Sequence, residues 1–479
     1  MSNRRLADVR QTVMIEALEN RALLTALPTG FTDTTIAKGL TSPSSMEFLP
    51  DGRLLVTQQS GEILMVKNGA ALPTPFAKLT DTDDYFERGL LGVTVDPNFA
   101  QNHFVYAYYT TLQTASHNRI VRFTANGDVA AAGSEKTIFE LPNVNSAIWH
   151  MGGAIHFGPD GKLYVSVGDY QQPNSAQDLS VVTGKILRIN SDGTIPTDDP
   201  FYSTQTGISR AIWAYGLRNP FSTAFQPGTG LFYIDNVGEN TWETVYQGKA
   251  GANYGWPIVE GPRTDPRFAQ PVYTYNHNGG GGATIGGGFY DPTTQQFPAQ
   301  YKDQYFFADF SQGWIKTINP TTHAVSGFAT GVSFPTSLRI SNDGSMWVLT
   351  RGGPTGGLQP GLGQLHQIRY TAPATNGAIL GKAVNDANAD KLWDTGDTRL
   401  TNWTVYIDSN NNGKLDTGER RTTTDSSGTF WFGGLAPGSY VVRLAAPAGW
   451  VGSLPASGAM TITIASGKTA HPVFLEKKV

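Results

Sequence analysis

The residues best placed to do chemistry lie in one stretch, Trp149–Asp169, which reads WHMGGAIHFGPDGKLYVSVGD. His150 stands just ahead of a Gly-Gly pair. A hairpin pattern follows: an alternating run, the turn Pro159-Asp160-Gly161, and a second run ending at Gly168-Asp169. Pro, Asp and Gly specify a tight turn. Such a hairpin sets His150 and Asp169 at the same end of two neighbouring strands. A histidine oriented by a carboxylate can serve as a general base. A surface histidine beside a turn has the same spacing.

Four further stretches carry polar groups at strand ends. Glu87-Arg88-Gly89-Leu90-Leu91-Gly92 leads into an apolar run and Asp96-Pro97. Trp213–Pro220 presents Arg218 and Asn219. Asp235–Glu243 reads as a polar loop containing Gly238 and Glu239, and Gly251–Pro257 reads as an aromatic turn. Taken singly, each is as well explained by a corner or a packing aromatic. The glycine loop around His277 and Gly279–Gly282 reads as a flexible turn. No Walker or G-x-G-x-x-G pattern occurs, so a nucleotide cofactor has no support.

The elements that must position these residues repeat. A Pro/Asn-Asp-Gly type of turn between two apolar strands recurs at Pro50-Asp51-Gly52, Pro159-Asp160-Gly161 and Asn342-Asp343-Gly344, with weaker copies at Asp96-Pro97-Asn98, Pro227-Gly228 and Asp291-Pro292. Spacings of roughly 45–70 residues allow about four strands per unit, which predicts an all-β, six-bladed β-propeller over residues 31–370. Thr371-Ala-Pro-Ala-Thr-Asn-Gly377 begins a linker, assigned to 371–378. The remaining 379–479 alternates strongly and reads as a small β-sandwich.

Composition agrees. The chain has 479 residues, enough for two or three domains, with 55 glycines, 11% aromatics and only 15% charged residues. A net charge of −4 with no long basic run argues against nucleic acid. The chain contains no cysteine, which excludes disulfides and thiolate chemistry. No run of eighteen apolar residues predicts a membrane span. Residues 1–30 stand apart. Arg4, Arg5 and Arg10 precede Leu18–Ala26, which reads either as a short amphipathic helix, with Ile15, Leu18 and Ala22 on one face, or as a targeting segment.

The C-terminal module contains a calcium-loop pattern. Asp408, Asn410, Asn412, Asp416 and Glu419 fall at positions one, three, five, nine and twelve, Gly413 falls at six, and Lys414 would add a backbone carbonyl. An incomplete copy uses Asp386, Asn388, Asp390, Asp394 and Asp397, with Lys391 where glycine is preferred. Asx-rich turns are the alternative. The run Trp403–Ile407 alternates as a strand, so these are not EF-hands.

As an ordered set, GLLG, His-x-Gly-Gly with FGPDGKLY and GD, GxRNP, VGENTWE and NYGWP resembles the soluble PQQ-dependent sugar dehydrogenases. This is the glucose/sorbosone dehydrogenase family, which includes aldose dehydrogenases and the propellers of hedgehog-interacting-protein-like proteins. The resemblance covers roughly Thr34–Tyr370. It implies a six-bladed propeller that oxidises an aldose at the anomeric carbon to a lactone. It also implies roles: His150 as base, Asp169 as its orienting carboxylate, Glu87 beside the reacting centre, Arg218 and Asn219 on the PQQ, and the carbonyls of Gly238 and Glu239 on a calcium ion. The sequence departs from the family in one respect. The stretches Ala308–Trp314 and Ser333–Leu338, where the family grips the cofactor carboxylates with Lys and Arg, contain neither; the nearby Lys316 and Arg339 lie within strands. PQQ carries three carboxylates, so this loss should weaken its binding. A non-catalytic carbohydrate- or protein-binding propeller and a calcium-dependent lactonase therefore remain as alternatives.

The C-terminal module resembles the SdrD B-like repeat of bacterial surface proteins, which implies a calcium-stiffened sandwich with cell-surface or matrix contacts. The segment Leu18–Ala26 resembles the short N-terminal motif of planctomycete extracellular proteins. Together these imply an exported protein, extracellular or periplasmic, whose partners are a sugar and an unidentified electron acceptor.

Overall fold

Strand and turn signals dominate the chain, and the fold is built almost wholly from antiparallel sheets. A computed structural model describes residues 26–277, 279–354, 357–371 and 375–479; of the segment read as a targeting motif, all but Ala26 lies outside them. The chain divides into two units at Thr371/Ala372.

In the first unit, six sheets of four or five strands follow one another along the chain. Their leading strands are Pro43–Phe48, Leu90–Val95, Ile155–Phe157, Asn219–Phe225, Thr284–Phe289 and Pro335–Ile340. Each leading strand lies against the next, and the last lies against the first, so the sheets close into a ring. The leading strands crowd around the axis and are rich in small residues, such as Ser44, Ser45 and Gly286–Gly288. All six repeated turns fall between a leading strand and the second strand of its sheet. Asp96-Pro97-Asn98 also carries one helical turn, Phe99–Asn102.

The second strands read as continuous buried runs rather than alternating ones. Leu54–Gln58, Leu163–Val167, Tyr305–Asp309 and Met346–Thr350 are buried at every position, because neighbouring sheets cover both faces. Six clusters of buried side chains fill the six gaps between sheets. In one of them Tyr164, Ile186 and Ala214 meet Phe232, Ile234 and Tyr246. The ring is fastened by the N-terminal strand Phe31–Leu40, which pairs antiparallel with Gly363–Tyr370 as the outer strand of the last sheet. Ala26 bonds to Thr330, and Leu27 packs against the last gap. The folded unit therefore reaches into the 1–30 segment.

One reading is refined. Asp235–Glu243 is mostly strand, with Asp235 inside Phe232–Val237 and Glu243 inside Trp242–Gln247. Both carboxylates are buried.

The second unit has two sheets that share one core. Gly377–Asn385 lies at the centre of one sheet, and Thr404–Ile407 pairs with Gly438–Leu444 in the other. Ile379, Phe430, Phe432 and Phe474 of the first pack with Val405, Val442, Ile462 and Ile464 of the second. Among the described residues no helix is long and apolar enough to cross a membrane.

Candidate active site

Where the leading strands begin, a cavity of about 380 Å³ opens at one end of the ring. Antiparallel pairing brings the ends of the second strands to the same place, so residues distant in sequence share its wall.

His150 lies on this wall, ahead of its leading strand, with a left-handed backbone at φ 67°. Its Nδ1 is 2.6 Å from Oδ1 of the buried Asp169. A carboxylate at that nitrogen selects the Nδ1–H tautomer and leaves Nε2 as the acceptor. Asp169 is itself fixed. Its Oδ1 also accepts the Gln171 N–H, and its Oδ2 accepts the Trp256 indole N–H at 2.8 Å. Trp256 belongs to the stretch read as an aromatic turn; its role in the site was not legible there. Gly168 permits the close approach of the two chain segments, since a Cβ on it would lie 1.9 Å from the His150 carbonyl oxygen.

Glu87 joins the pair from the preceding sheet. One carboxylate oxygen accepts the His150 backbone N–H, and the other accepts Asn219 Nδ2 at 3.0 Å. Asn219 Oδ1 in turn accepts the Gly152 N–H at 3.0 Å. Asn219 thus ties Glu87 to the turn after His150. Arg88 secures the other flank, binding the Ala147 carbonyl and pairing with Asp83 at 2.8 Å. Phe86 and Trp149 meet edge to face at 5.2 Å and give the mouth an aromatic margin.

Arg218 lines the cavity, with its guanidinium 5.6 Å from the centre of the Trp256 ring. Its Nε is buried and has no hydrogen-bond partner. Gly238 and Glu239 also line the wall. Gly238 must be glycine, because a Cβ would lie 1.7 Å from the Trp242 carbonyl. Behind it, buried Glu243 accepts the N–H groups of Gly238 and Thr284 and pairs with His277 at 2.8 Å. The carboxylate raises the pKa of the imidazole, mainly through this hydrogen bond. The glycine loop is therefore anchored at His277, and Gly282 reaches the cavity; Asn278 lies outside the described residues.

Lys316 and Arg339 are not in the cavity wall. Lys316 lies 4.0 Å over the Trp314 ring. Arg339 sits lower on the axis, 3.4 Å from Glu47 and 3.2 Å from His156. Among the cavity residues that sequence reasoning missed are Gln59 and Arg351, each just past the end of a second strand.

The two Asx-rich loops of the second unit share one arrangement. Asp408 accepts the N–H groups of Asn412 and Gly413, and Glu419 accepts those of Ser409 and Asp416. In the earlier copy Asp386 accepts from Asp390 and Lys391, and Asp397 accepts from Ala387 and Asp394. Lys391 adopts the left-handed conformation of Gly413, φ 68° against 77°. Several of the groups expected as ligands also bond to one another. Asn410 and Asn412 both donate to Asp416, the Lys414 N–H donates to Asn412, and Asn388 donates to Asp390. Asp408 also pairs with Arg443 at 2.5 Å. Among the described residues no group of three or more His, Cys, Asp or Glu is arranged to hold a metal ion.

A closed ring of antiparallel sheets around an axial cavity defines the class, a β-propeller. Residues 40–356 match the glucose/sorbosone dehydrogenase family, and the chain belongs to it. Residues 378–470 match the SdrD B-like domain. The chain is 29% identical over 224 residues to aldose sugar dehydrogenase YliI of Escherichia coli, a match covering 46% of this chain and 60% of that protein. It is 30% identical over 275 residues to quinoprotein glucose dehydrogenase B of Acinetobacter calcoaceticus, covering 51% and 56%. The chain thus spans less than two thirds of either relative. The PQQ-bound aldose sugar dehydrogenase of Streptomyces coelicolor superposes with a TM-score of 0.59 at 25% identity, covering 72% of this chain and 99% of that one.

Proposed function

We propose that the first unit, a six-bladed propeller over residues 31–370, oxidises an aldose at its anomeric carbon to the lactone, using PQQ. The observation that carries this reading is His150 Nδ1 held 2.6 Å from Asp169 on a cavity wall that also presents Arg218. The buried, unpartnered Nε of Arg218 suits an anionic planar group. The chemistry PQQ supplies when bound is acceptance of a hydride equivalent from the sugar. His150 Nε2 takes the proton of the anomeric hydroxyl, and Asp169 stabilises the imidazolium that results. Glu87, fixed at both oxygens, orients the sugar. Arg218 places positive charge where negative charge develops. Asn219 has one amide hydrogen left for the cofactor after its bond to Glu87. The carbonyls of Gly238 and Glu239 would hold a calcium ion against it.

We further propose that residues 379–479 form a sandwich stiffened by calcium at Asp408–Glu419 and Asp386–Asp397. The matching backbone of the two loops supports equal treatment of both. Residues 371–378 are the linker, and the whole is exported to the periplasm or cell exterior.

The test is direct. Purified protein with PQQ and calcium should reduce a dye with an aldose and release the lactone. The stretches Ala308–Trp314 and Ser333–Leu338, which lack cations, favour a second reading, a non-catalytic sugar- or protein-binding propeller. Sugar or protein binding without turnover across an aldose panel would select that reading instead.

A further inference from the structure

The wall of the last sheet carries a cation that the stretch Ser333–Leu338 lacks. Arg351 directly follows the second strand Met346–Thr350, and its N–H donates to the Phe334 carbonyl at 2.9 Å. Thr350 pairs with Pro335. Arg351 therefore lies alongside Ser333–Leu338, the stretch without Lys or Arg.

Its surroundings hold a charge without neutralising it. Arg351 is only 5% exposed. Nη1 donates to Gln59 Oε1 at 2.7 Å and Nη2 donates to the Gly357 carbonyl at 2.8 Å, both neutral acceptors. Nε is buried without a partner, as it is in Arg218. Among the described residues neither arginine makes an ion pair within 4.0 Å. Gln59 is locked in turn, since its Nε2 donates to the carbonyls of Phe86 and Arg88. Burial lowers the Arg351 pKa to about 10, against the opposing field of Glu87, so the group stays charged at neutral pH. A buried, rigid guanidinium without an ion-pair partner is costly unless an anion arrives to pair with it.

We infer that Arg351 binds a carboxylate of the planar cofactor, replacing from just past the second strand the cations absent from Ser333–Leu338, while Arg218 serves a different edge of the same cavity. This inference rests on the PQQ reading above. Gln59 is the positioning residue that aims the guanidinium.

The experiment compares PQQ with its trimethyl ester, which keeps the quinone and loses the carboxylate charges. Tryptophan fluorescence quenching and absorbance give the affinities of the full chain in calcium, and circular dichroism reports folding. Wild type should bind PQQ at least tenfold more tightly than the ester. Arg351→Gln should weaken PQQ about 10- to 100-fold and leave the ester within about threefold. Arg351→Lys should fall between them. A folded Arg351→Gln that binds PQQ like wild type, or that loses PQQ and ester alike, overturns the inference and leaves the PQQ reading standing. Should that variant fail to fold, a wild type that does not distinguish acid from ester overturns it equally. A wild type that binds neither compound removes the PQQ reading itself.

Discussion

The Trp256 indole donates to Oδ2 of Asp169 at 2.8 Å, across 87 positions of sequence, while Oδ1 of the same carboxylate meets His150. Both oxygens are therefore committed, and the plane of the carboxylate is set by a residue from a different sheet. Trp256 also lies beneath the Arg218 guanidinium. One side chain thus steadies His150 through its partner and Arg218 through its ring.

Trp256→Phe keeps the ring and removes the indole donor. Turnover of aldose should fall about tenfold, with little change in KM. Asp169→Asn should cost more, about 10³- to 10⁴-fold in kcat, because an amide permits the wrong imidazole tautomer. Steady-state dye assays check both, and equal losses in the two variants would contradict the separate roles.

His150→Ala should reduce turnover about 100-fold or more while the PQQ affinity is retained. His150→Asn is the companion, since Asn tolerates the left-handed backbone at this position. Unchanged kcat in either variant would remove His150 from the proton transfer.

Gly168→Ala forces a Cβ to within 1.9 Å of the His150 carbonyl oxygen. The first unit should lose about 1–3 kcal/mol in urea denaturation, and turnover should drop as His150 shifts.

Asp235 is fully buried, and burial pushes its pKa up to about 8 from an ordinary value of 3.8. Between those values the folded chain holds a proton that the unfolded chain releases, so stability falls as pH rises through the window. Asp235→Asn removes that titration. The stability gap between variant and wild type should move in favour of the variant from pH 4 to pH 8, by at most about 1.4 kcal/mol per pH unit, and stay constant above it. Denaturation series at several pH values check the slope.

Calcium should raise the unfolding temperature of the second unit within the full chain, and Glu419→Ala should diminish that rise, because Glu419 closes the loop through Ser409 and Asp416. Differential scanning calorimetry with and without a chelator reads it. A transition indifferent to calcium would leave the loops as Asx-rich turns.

The sequence by itself determined what local chemistry can determine. Turn residues marked each link between a leading strand and its neighbour, and His150 and Asp169 were visible as partners because one hairpin joins them. The calcium-type spacing was legible for the same reason, since all its positions lie within twelve residues. The tertiary structure alone decided which separate sheets meet at the cavity. Trp256, Gln59 and Arg351 each have an ordinary local setting, and no spacing in the chain announces them. Only the closing of the ring, through Phe31–Leu40 on Gly363–Tyr370, brings the last sheet beside the first and sets Arg351 against Gln59. Contacts across nearly three hundred residues follow from how sheets bury both faces against their neighbours, a property of the packed whole that local patterns do not encode.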